Sequence, residues 1–116
     1  MSNANNNMQQ LAQHTFQFAQ AVREFGKIVP MTVSNIEDLK SLIRSSGKAG
    51  ESLIRTQEAP NEYEFKLRMK TVIEELRTTQ YYLSLMDTQN HGELNHRRSQ
   101  LMKAADDLAD VFRKVL

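Results

Sequence analysis

The chain has no cysteine, so disulfides and zinc sites with thiolate ligands are excluded. Its 116 residues include only four glycines and two prolines, which leaves little room for the many turns of an all-β fold. No apolar run approaches the roughly 18 residues of a membrane span, and the N-terminal sequence lacks the basic stretch and apolar core of a secretory signal. These absences predict a soluble, cytoplasmic and mostly helical protein that does not bind a membrane.

The charges are nearly balanced, with 15 lysines and arginines against 14 aspartates and glutamates and a net charge of +1. Apolar residues make up 40% of the chain and charged residues 25%, as in an ordinary globular protein. The length suits a single domain. This composition is less basic than that of a dedicated nucleic-acid-binding protein.

Four segments repeat apolar residues every three or four positions, which is the period of one buried helix face. The predicted helices run from about Met8 to Val29, through Ile36 to Gln57, from Asn61 to Met86, and from about Glu93 to the C-terminus. Short connections between amphipathic helices indicate an all-α, antiparallel up-and-down four-helix bundle. Residues 1–7 are polar and predict a flexible tail, so that residues 8–116 form the single bundle domain.

Local signals place the helix ends. Pro30 ends the first helix because the residue before proline is biased away from the α conformation. Ser34 and Glu37 fit a capping box at the start of the second helix, and Asn61 is a good N-cap for the third.

Small residues occupy the middle of the second helix, namely Ser46, Gly47, Ala49 and Gly50. Each glycine lowers helix propensity by about 1 kcal/mol relative to alanine, so two of them within four residues need a reason. Close packing against another helix is the favoured reason, and a break of the helix at Gly47 is the alternative.

The sequence gives little support for catalysis. Glu93 and His96 form one Glu-x-x-His match, whereas a di-iron bundle needs two such motifs and two further glutamates. The segment from Gly47 to Gly50 lacks the spacing of a Walker loop, and no Gly-x-Ser-x-Gly elbow is present. We therefore expect a protein that is not an enzyme and that has no catalytic residue, metal or other cofactor.

Two residue sets are candidates for interactions. Basic residues step along the second helix and could contact an anionic partner such as RNA or DNA, although a solvated face explains them as well: Lys40, Arg44, Lys48 and Arg55. Apolar residues beside the main stripes predict a subunit interface if they cluster: Leu42, Ile54, Leu67, Ile73, Leu85 and Met102.

Residues 14–90 resemble the bacterial four-helix-bundle family named for the 23S rRNA intervening-sequence protein. The resemblance includes the Phe-Gln-Phe-Ala segment at 16–19, the Leu-Ile-Arg-Ser segment at 42–45 and the segment from Glu75 to Leu85. The positions that match the family's motifs are expected to be structural: Phe16, Phe18, Phe65, Glu75, Thr79, Tyr82 and Leu83. The chain departs from the family at Tyr82, where a tryptophan is usual, and at Ser52, where an asparagine is usual. We expect Ser52 to face Glu75 or Thr79 in place of that asparagine.

The resemblance implies a bundle that assembles as a homo-oligomer, most often a pentamer, with a biochemical role that is not established for the family. The chain would then scaffold a partner, such as a nucleic-acid-associated protein. A related bundle suggests an alternative function. The accessory protein of diversity-generating retroelements is a strongly basic pentamer that binds nucleic acid and a reverse transcriptase. The near-neutral charge of the present chain argues against that role.

Overall fold

The computed structural model describes residues 3–116, with side chains from Asn7 onward. Four α-helices follow one another: α1 (Asn3–Ile28), α2 (Val33–Gln57), α3 (Glu62–Leu85) and α4 (Gly92–Val115). Within these residues there is no strand, so the prediction of an all-α fold with four helices is confirmed. Among them, no helix combines the length and the apolar character that are needed to cross a bilayer.

The first helix begins at Asn3, five residues before the predicted start at Met8. Asparagine is a poor helix former, which is why the sequence pattern placed the boundary later. Once a helix has nucleated, however, each added residue gains a hydrogen bond at little further cost. Residues 1 and 2 of the predicted tail lie outside the described residues. The helix ends at Ile28, two residues before Pro30, as predicted.

The start of α2 differs from the predicted capping box. Thr32, not Ser34, is the N-cap: its backbone is extended and its Oγ1 accepts a hydrogen bond from the Asn35 amide at 3.1 Å. Ser34 already lies in the first turn of the helix. The helix then continues through Gly47 without a break. At the start of α3, Asn61 is the N-cap as predicted, and its Oδ1 accepts from the Glu64 amide at 2.8 Å.

The helices pack in a ring. The first and third helices each lie beside both α2 and α4, whereas the backbones of the diagonal pairs, α1 with α3 and α2 with α4, stay apart within the described residues. Hydrogen bonds fix the register of α2 and the segment around α3, because they join Asn35 to Asp87, Ser45 to Thr79, and the carbonyl of Arg55 to Arg68. Residues later in α2 are therefore bonded to residues earlier in the segment around α3.

The interior is a single apolar cluster to which all four helices contribute. Its largest fully buried side chains are aromatic or aliphatic, including Phe25, Phe112, Leu42, Leu53 and Leu76. Several hydroxyl groups and one amide are buried beside them. Among the described residues, every side-chain nitrogen and oxygen that is fully sealed from solvent has a hydrogen-bond partner. This core holds the outward faces of the helices in fixed positions.

Candidate interaction surfaces

The predicted anion-binding residues all lie on the exposed side of α2, and we call them the basic stripe: Lys40, Arg44, Lys48 and Arg55. Glutamates on the same helix partly neutralise it. Glu37 lies 3.1 Å from Lys40, and Glu51 lies 3.3 Å from both Lys48 and Arg55. Only Arg44 of the four has no acidic partner within the described residues. The stripe therefore has much less free positive charge than its sequence suggests.

Glu51 is the centre of this ion-pair network. The hydrogen bond from Lys48 and then that from Arg55 lower the pKa of its carboxyl group below the ordinary value of 4.5. The charged form is favoured because two cations lie on one carboxylate. At neutral pH Glu51 is therefore ionised and pairs with both basic side chains.

An open cleft of about 600 Å³ lies where α2 meets α3, and we call it the seam cleft. Six residues line it: Lys48, Ser52, Arg55, Glu58, Arg68 and Thr71. The guanidinium of Arg68 donates from Nη1 to the carbonyl oxygen of Arg55 at 2.8 Å and lies 3.5 Å from Glu64. Arg68 thus adds a third cation from the neighbouring helix. Glu64 is four residues before Arg68 on the same helix, so that ion pair is visible in the sequence. Nothing local in the sequence places Arg68 beside α2.

Ser52 faces α3 as expected, but Thr79 is not its partner. Ser52 is buried and lines the seam cleft with Thr71, whereas Thr79 is bonded to Ser45 through their hydroxyl groups at 2.7 Å. Ser52 lies two turns, or about 10 Å, further along α2 than Ser45. Because residues later in α2 lie beside residues earlier in α3, this shift places Ser52 opposite Thr71.

The small-residue segment of α2 contains two kinds of position. Ser46 and Ala49 are fully buried in the bundle. At Gly47 an added Cβ would lie 3.6 Å from the Arg23 guanidinium, and at Gly50 it would lie 3.8 Å from the Thr15 methyl group. Both are ordinary van der Waals distances, so the helices at these glycines leave room for a methyl group.

The closest approach at a glycine is instead in α1. A Cβ added at Gly26 would lie 2.6 Å from Cδ1 of Leu39 on α2, closer than real contacts allow. Gly26 is not among the positions that the sequence predicts for close helix packing. The available signal was a glycine next to Phe25 inside the apolar period of α1, where it lowers helix propensity.

The residues that carry the family resemblance are mostly interior. Phe18, Thr79 and Leu83 are buried, while Phe65, Glu75 and Tyr82 are partly buried. Phe16 differs, because 62% of its surface is exposed on α1. The Phe-Gln-Phe-Ala segment of α1 therefore includes one side chain that is not part of this chain's own core.

The six apolar residues proposed for an interface divide between core and surface. Leu42 and Ile73 are core residues and Met102 packs partly buried against the core, so these three do not form a surface patch. Ile54, Leu67 and Leu85 are exposed. The sequence pattern misassigned the first three because the buried faces of α2, α3 and α4 are wider than one residue stripe.

A denser apolar surface lies where α1 connects to α2. Four large side chains within nine residues are exposed there, and we call them the apolar corner: Ile28, Met31, Val33 and Ile36. Val33 is 83% exposed and Met31 is 62% exposed. Exposed apolar residues this close together in sequence are candidates for a binding surface, whereas single exposed apolar residues are normal.

Glu93 and His96 do not lie in a metal-binding cluster. Glu93 pairs with Arg97 at 3.2 Å, and His96 is exposed on α4. Among the described residues, no group of three or more histidine, aspartate or glutamate side chains is arranged to hold a metal ion.

The chain is thus an all-α, four-helix protein with an apolar corner, a basic stripe and a seam cleft. No family model matches it, and neither a curated protein nor a solved structure matches it. The resemblance to the 23S rRNA intervening-sequence family stays a prediction.

Proposed function

We propose that this chain is a non-enzymatic bundle protein that assembles with copies of itself in the cytoplasm and scaffolds a partner. The observation that carries the proposal is the apolar corner, where Ile28, Met31, Val33 and Ile36 are all exposed. The net charge of only +1 adds support, because copies of a nearly neutral protein repel one another weakly.

We infer that the four helices run antiparallel, up and down, around the core. Three further observations support this arrangement beside the α2–α3 register. Gly26 approaches Leu39 and Gly50 approaches Thr15, so residues later in α1 lie beside residues earlier in α2. Gln80 donates to the Met102 carbonyl. These pairs are what short connections between sequential helices produce.

The apolar corner is a suitable contact surface because it is held rigidly. Asn35, between Val33 and Ile36 in sequence, is buried and bonded to the carbonyl oxygens of Pro30 and Asp87. Side chains presented by a fixed backbone lose less entropy on binding than those of a mobile loop. Each square ångström of apolar surface removed from water contributes about 25 cal/mol. A second copy of the corner is the occupant that we propose.

The mass of the protein in solution tests the proposal. Light scattering coupled to size exclusion is expected to give a multiple of the 13.4 kDa subunit, and the family resemblance predicts five subunits. The double variant Met31→Lys/Val33→Lys is expected to give a smaller mass. Ile54→Lys is the matched control, because Ile54 is a 55% exposed residue of α2 outside the corner.

Two outcomes would overturn the proposal. One is a monomeric wild-type protein at micromolar concentration. The other is an equal loss of mass in the corner variant and in Ile54→Lys, since the association would then not depend on the corner. Circular dichroism of each variant shows whether its helices are retained.

Nucleic-acid binding is the alternative function, and the same experiment with added RNA addresses it. The ion pairs of Lys40, Lys48 and Arg55 with glutamates of the same helix weaken that alternative, because these glutamates cancel much of the positive charge that a long phosphate backbone would meet along α2. A mass increase with RNA at low salt, lost in Arg44→Gln, would favour it over self-assembly alone.

A further inference from the structure

We propose that the seam cleft between α2 and α3 binds the phosphate group of a small phosphomonoester. The cleft combines a hydroxyl floor, Ser52 and Thr71, with a cationic rim, Lys48, Arg55 and Arg68. Hydroxyl, ammonium and guanidinium groups are all hydrogen-bond donors to phosphate oxygens. The site is separate from the apolar corner, so the proposal does not depend on self-assembly.

The floor of the cleft contains a polar group with no partner inside the protein. Ser52 is only 4% exposed, and among the described residues its hydroxyl makes no hydrogen bond. Within the described chain, every side-chain oxygen that is fully shielded from solvent has a hydrogen-bond partner. Because the Ser52 hydroxyl has no partner, it must be part of the small exposed surface of Ser52, which opens on the seam cleft. A buried serine normally bonds a carbonyl of its own helix, as Thr56 does to Ser52 at 2.8 Å. Ser52 is instead free to donate to a ligand.

The rim cations come from both helices and are already positioned. Glu51 holds Lys48 and Arg55, and Glu64 together with the Arg55 carbonyl holds Arg68. Each guanidinium has five N–H donors, and these contacts use only some of them. The remaining donors can contact a phosphate without loss of the ion pairs. Pre-positioned donors also reduce the entropy that is lost on binding.

Glu58 is the one carboxylate that lines the cleft. Its negative charge repels a dianion more strongly than a monoanion, so it opposes the attraction of the three rim cations. A phosphomonoester carries nearly two negative charges at neutral pH and gains more from three cations than a singly charged diester does. The cleft is therefore expected to favour a terminal phosphate over the phosphodiester of a nucleic-acid backbone.

A ³¹P NMR titration at pH 7.5 and constant ionic strength tests the site on the full-length protein. The probes are inorganic phosphate, phenyl phosphate as the monoester and dimethyl phosphate as the diester. We expect saturable binding of inorganic phosphate and phenyl phosphate, with dimethyl phosphate at least about ten-fold weaker. Equal binding of the diester, or no saturable binding of phenyl phosphate, would overturn the proposal.

Variants locate the site. Arg55→Gln removes a charge-assisted hydrogen bond and is expected to weaken phenyl phosphate binding about ten-fold. Ser52→Ala, which removes only the floor hydroxyl, is expected to weaken it about three-fold, and Glu58→Gln is expected to tighten it by a similar factor. Lys40→Gln is the matched control, since Lys40 is a cation of the same helix outside the cleft.

Lys40→Gln and Glu58→Gln distinguish a defined site from a diffuse attraction to the helix. If Lys40→Gln weakens binding as much as Arg55→Gln, the attraction is diffuse and the cleft is not a site. If Glu58→Gln leaves binding unchanged while the helical circular dichroism of all variants is retained, the phosphate does not enter the cleft. Both results would overturn the proposal.

Discussion

Asn35 and Asp87, which are 52 residues apart in the chain, are joined by two hydrogen bonds at one end of the molecule. The Asp87 amide donates to Oδ1 of Asn35 at 2.9 Å, and Nδ2 of Asn35 donates to the Asp87 carbonyl at 2.8 Å. The same Nδ2 donates to the Pro30 carbonyl at 2.9 Å. One buried side chain thus ties the α1–α2 connection to the residues that follow α3.

Asn35→Ala is expected to destabilise the protein by about 3 kcal/mol, because it removes three hydrogen bonds of a buried side chain to the backbone of Pro30 and Asp87. Asn35→Asp keeps the shape but cannot donate when ionised, so we expect an equal or larger loss. Urea unfolding at one fixed protein concentration measures both. Gln20→Ala, at an exposed position of α1, is the control and should change stability by less than about 0.5 kcal/mol. If Asn35→Ala also changed the free energy of unfolding by less than about 0.5 kcal/mol, the role of Asn35 would be contradicted.

The N-cap of α2 gives a second prediction. Thr32→Ala is expected to cost about 1 kcal/mol, because the Asn35 amide loses its side-chain acceptor. Ser34→Ala is the matched control, since Ser34 lies inside the helix and accepts from no backbone amide within the described residues. Urea unfolding of the two variants distinguishes the positions. A larger loss for Ser34→Ala would show that the helix begins at the position that the sequence pattern indicated.

The helices themselves were predictable because their apolar period is strong. The spacing of Val72, Leu76 and Leu83 follows the turn of a helix, and all three are fully buried in α3. Pro30 and Asn61 gave correct boundaries for the same local reason, since proline and an N-cap act within one turn. Thr32 and Ser34 are both good N-caps, so local preference alone could not decide between them.

The surfaces were less predictable because they depend on contacts between helices. Arg68 joins the seam cleft, and Ser45 rather than Ser52 meets Thr79, only because of the α2–α3 register. Similarly, Gly26 is a close-approach position because Leu39 of another helix lies against it. One sequence does not specify a register between helices, so these relationships had no local signal.

Glycine substitutions give a third prediction. Gly47→Ala is expected to stabilise the protein by about 0.5–1 kcal/mol, because alanine is the better helix former and its methyl group fits beside Arg23. Gly26→Ala is expected to stabilise the protein less than Gly47→Ala does, or to destabilise it, since Leu39 must move away from the new methyl group. Thermal or urea unfolding measures the difference between the two variants.

The contact between Gly26 and Leu39 is tested by a double-mutant cycle. Leu39→Ala removes the side-chain atoms that a Cβ at position 26 would meet, so Gly26→Ala should be more favourable in that background than in the wild type. Gly47→Ala should have the same effect in both backgrounds. Equal effects of Gly26→Ala in the two backgrounds would contradict the close approach.

The pKa of Glu51 gives the last prediction. Lys48 first and Arg55 second lower that pKa below the ordinary value of 4.5. A group whose folded pKa is lowered stabilises the fold above its unfolded pKa, and this contribution disappears as the pH falls through the folded pKa. The stability difference between wild type and Glu51→Gln should therefore be full at about pH 6 and shrink below about pH 4.5.

The Glu51 carboxyl carbon can be followed directly by NMR during an acid titration. Lys48→Gln is expected to raise the Glu51 pKa most and Arg55→Gln to raise it less, because the Lys48 hydrogen bond contributes most to the shift. High salt should raise it as well, since these side chains are solvent-exposed and their attraction is screened. Arg44→Gln is the control, as Arg44 lies on the same helix face without an acidic partner in the described chain. A Glu51 pKa that responds equally to Arg44→Gln and Lys48→Gln would mean that the general charge of α2, and not the two ion pairs, keeps this carboxylate ionised.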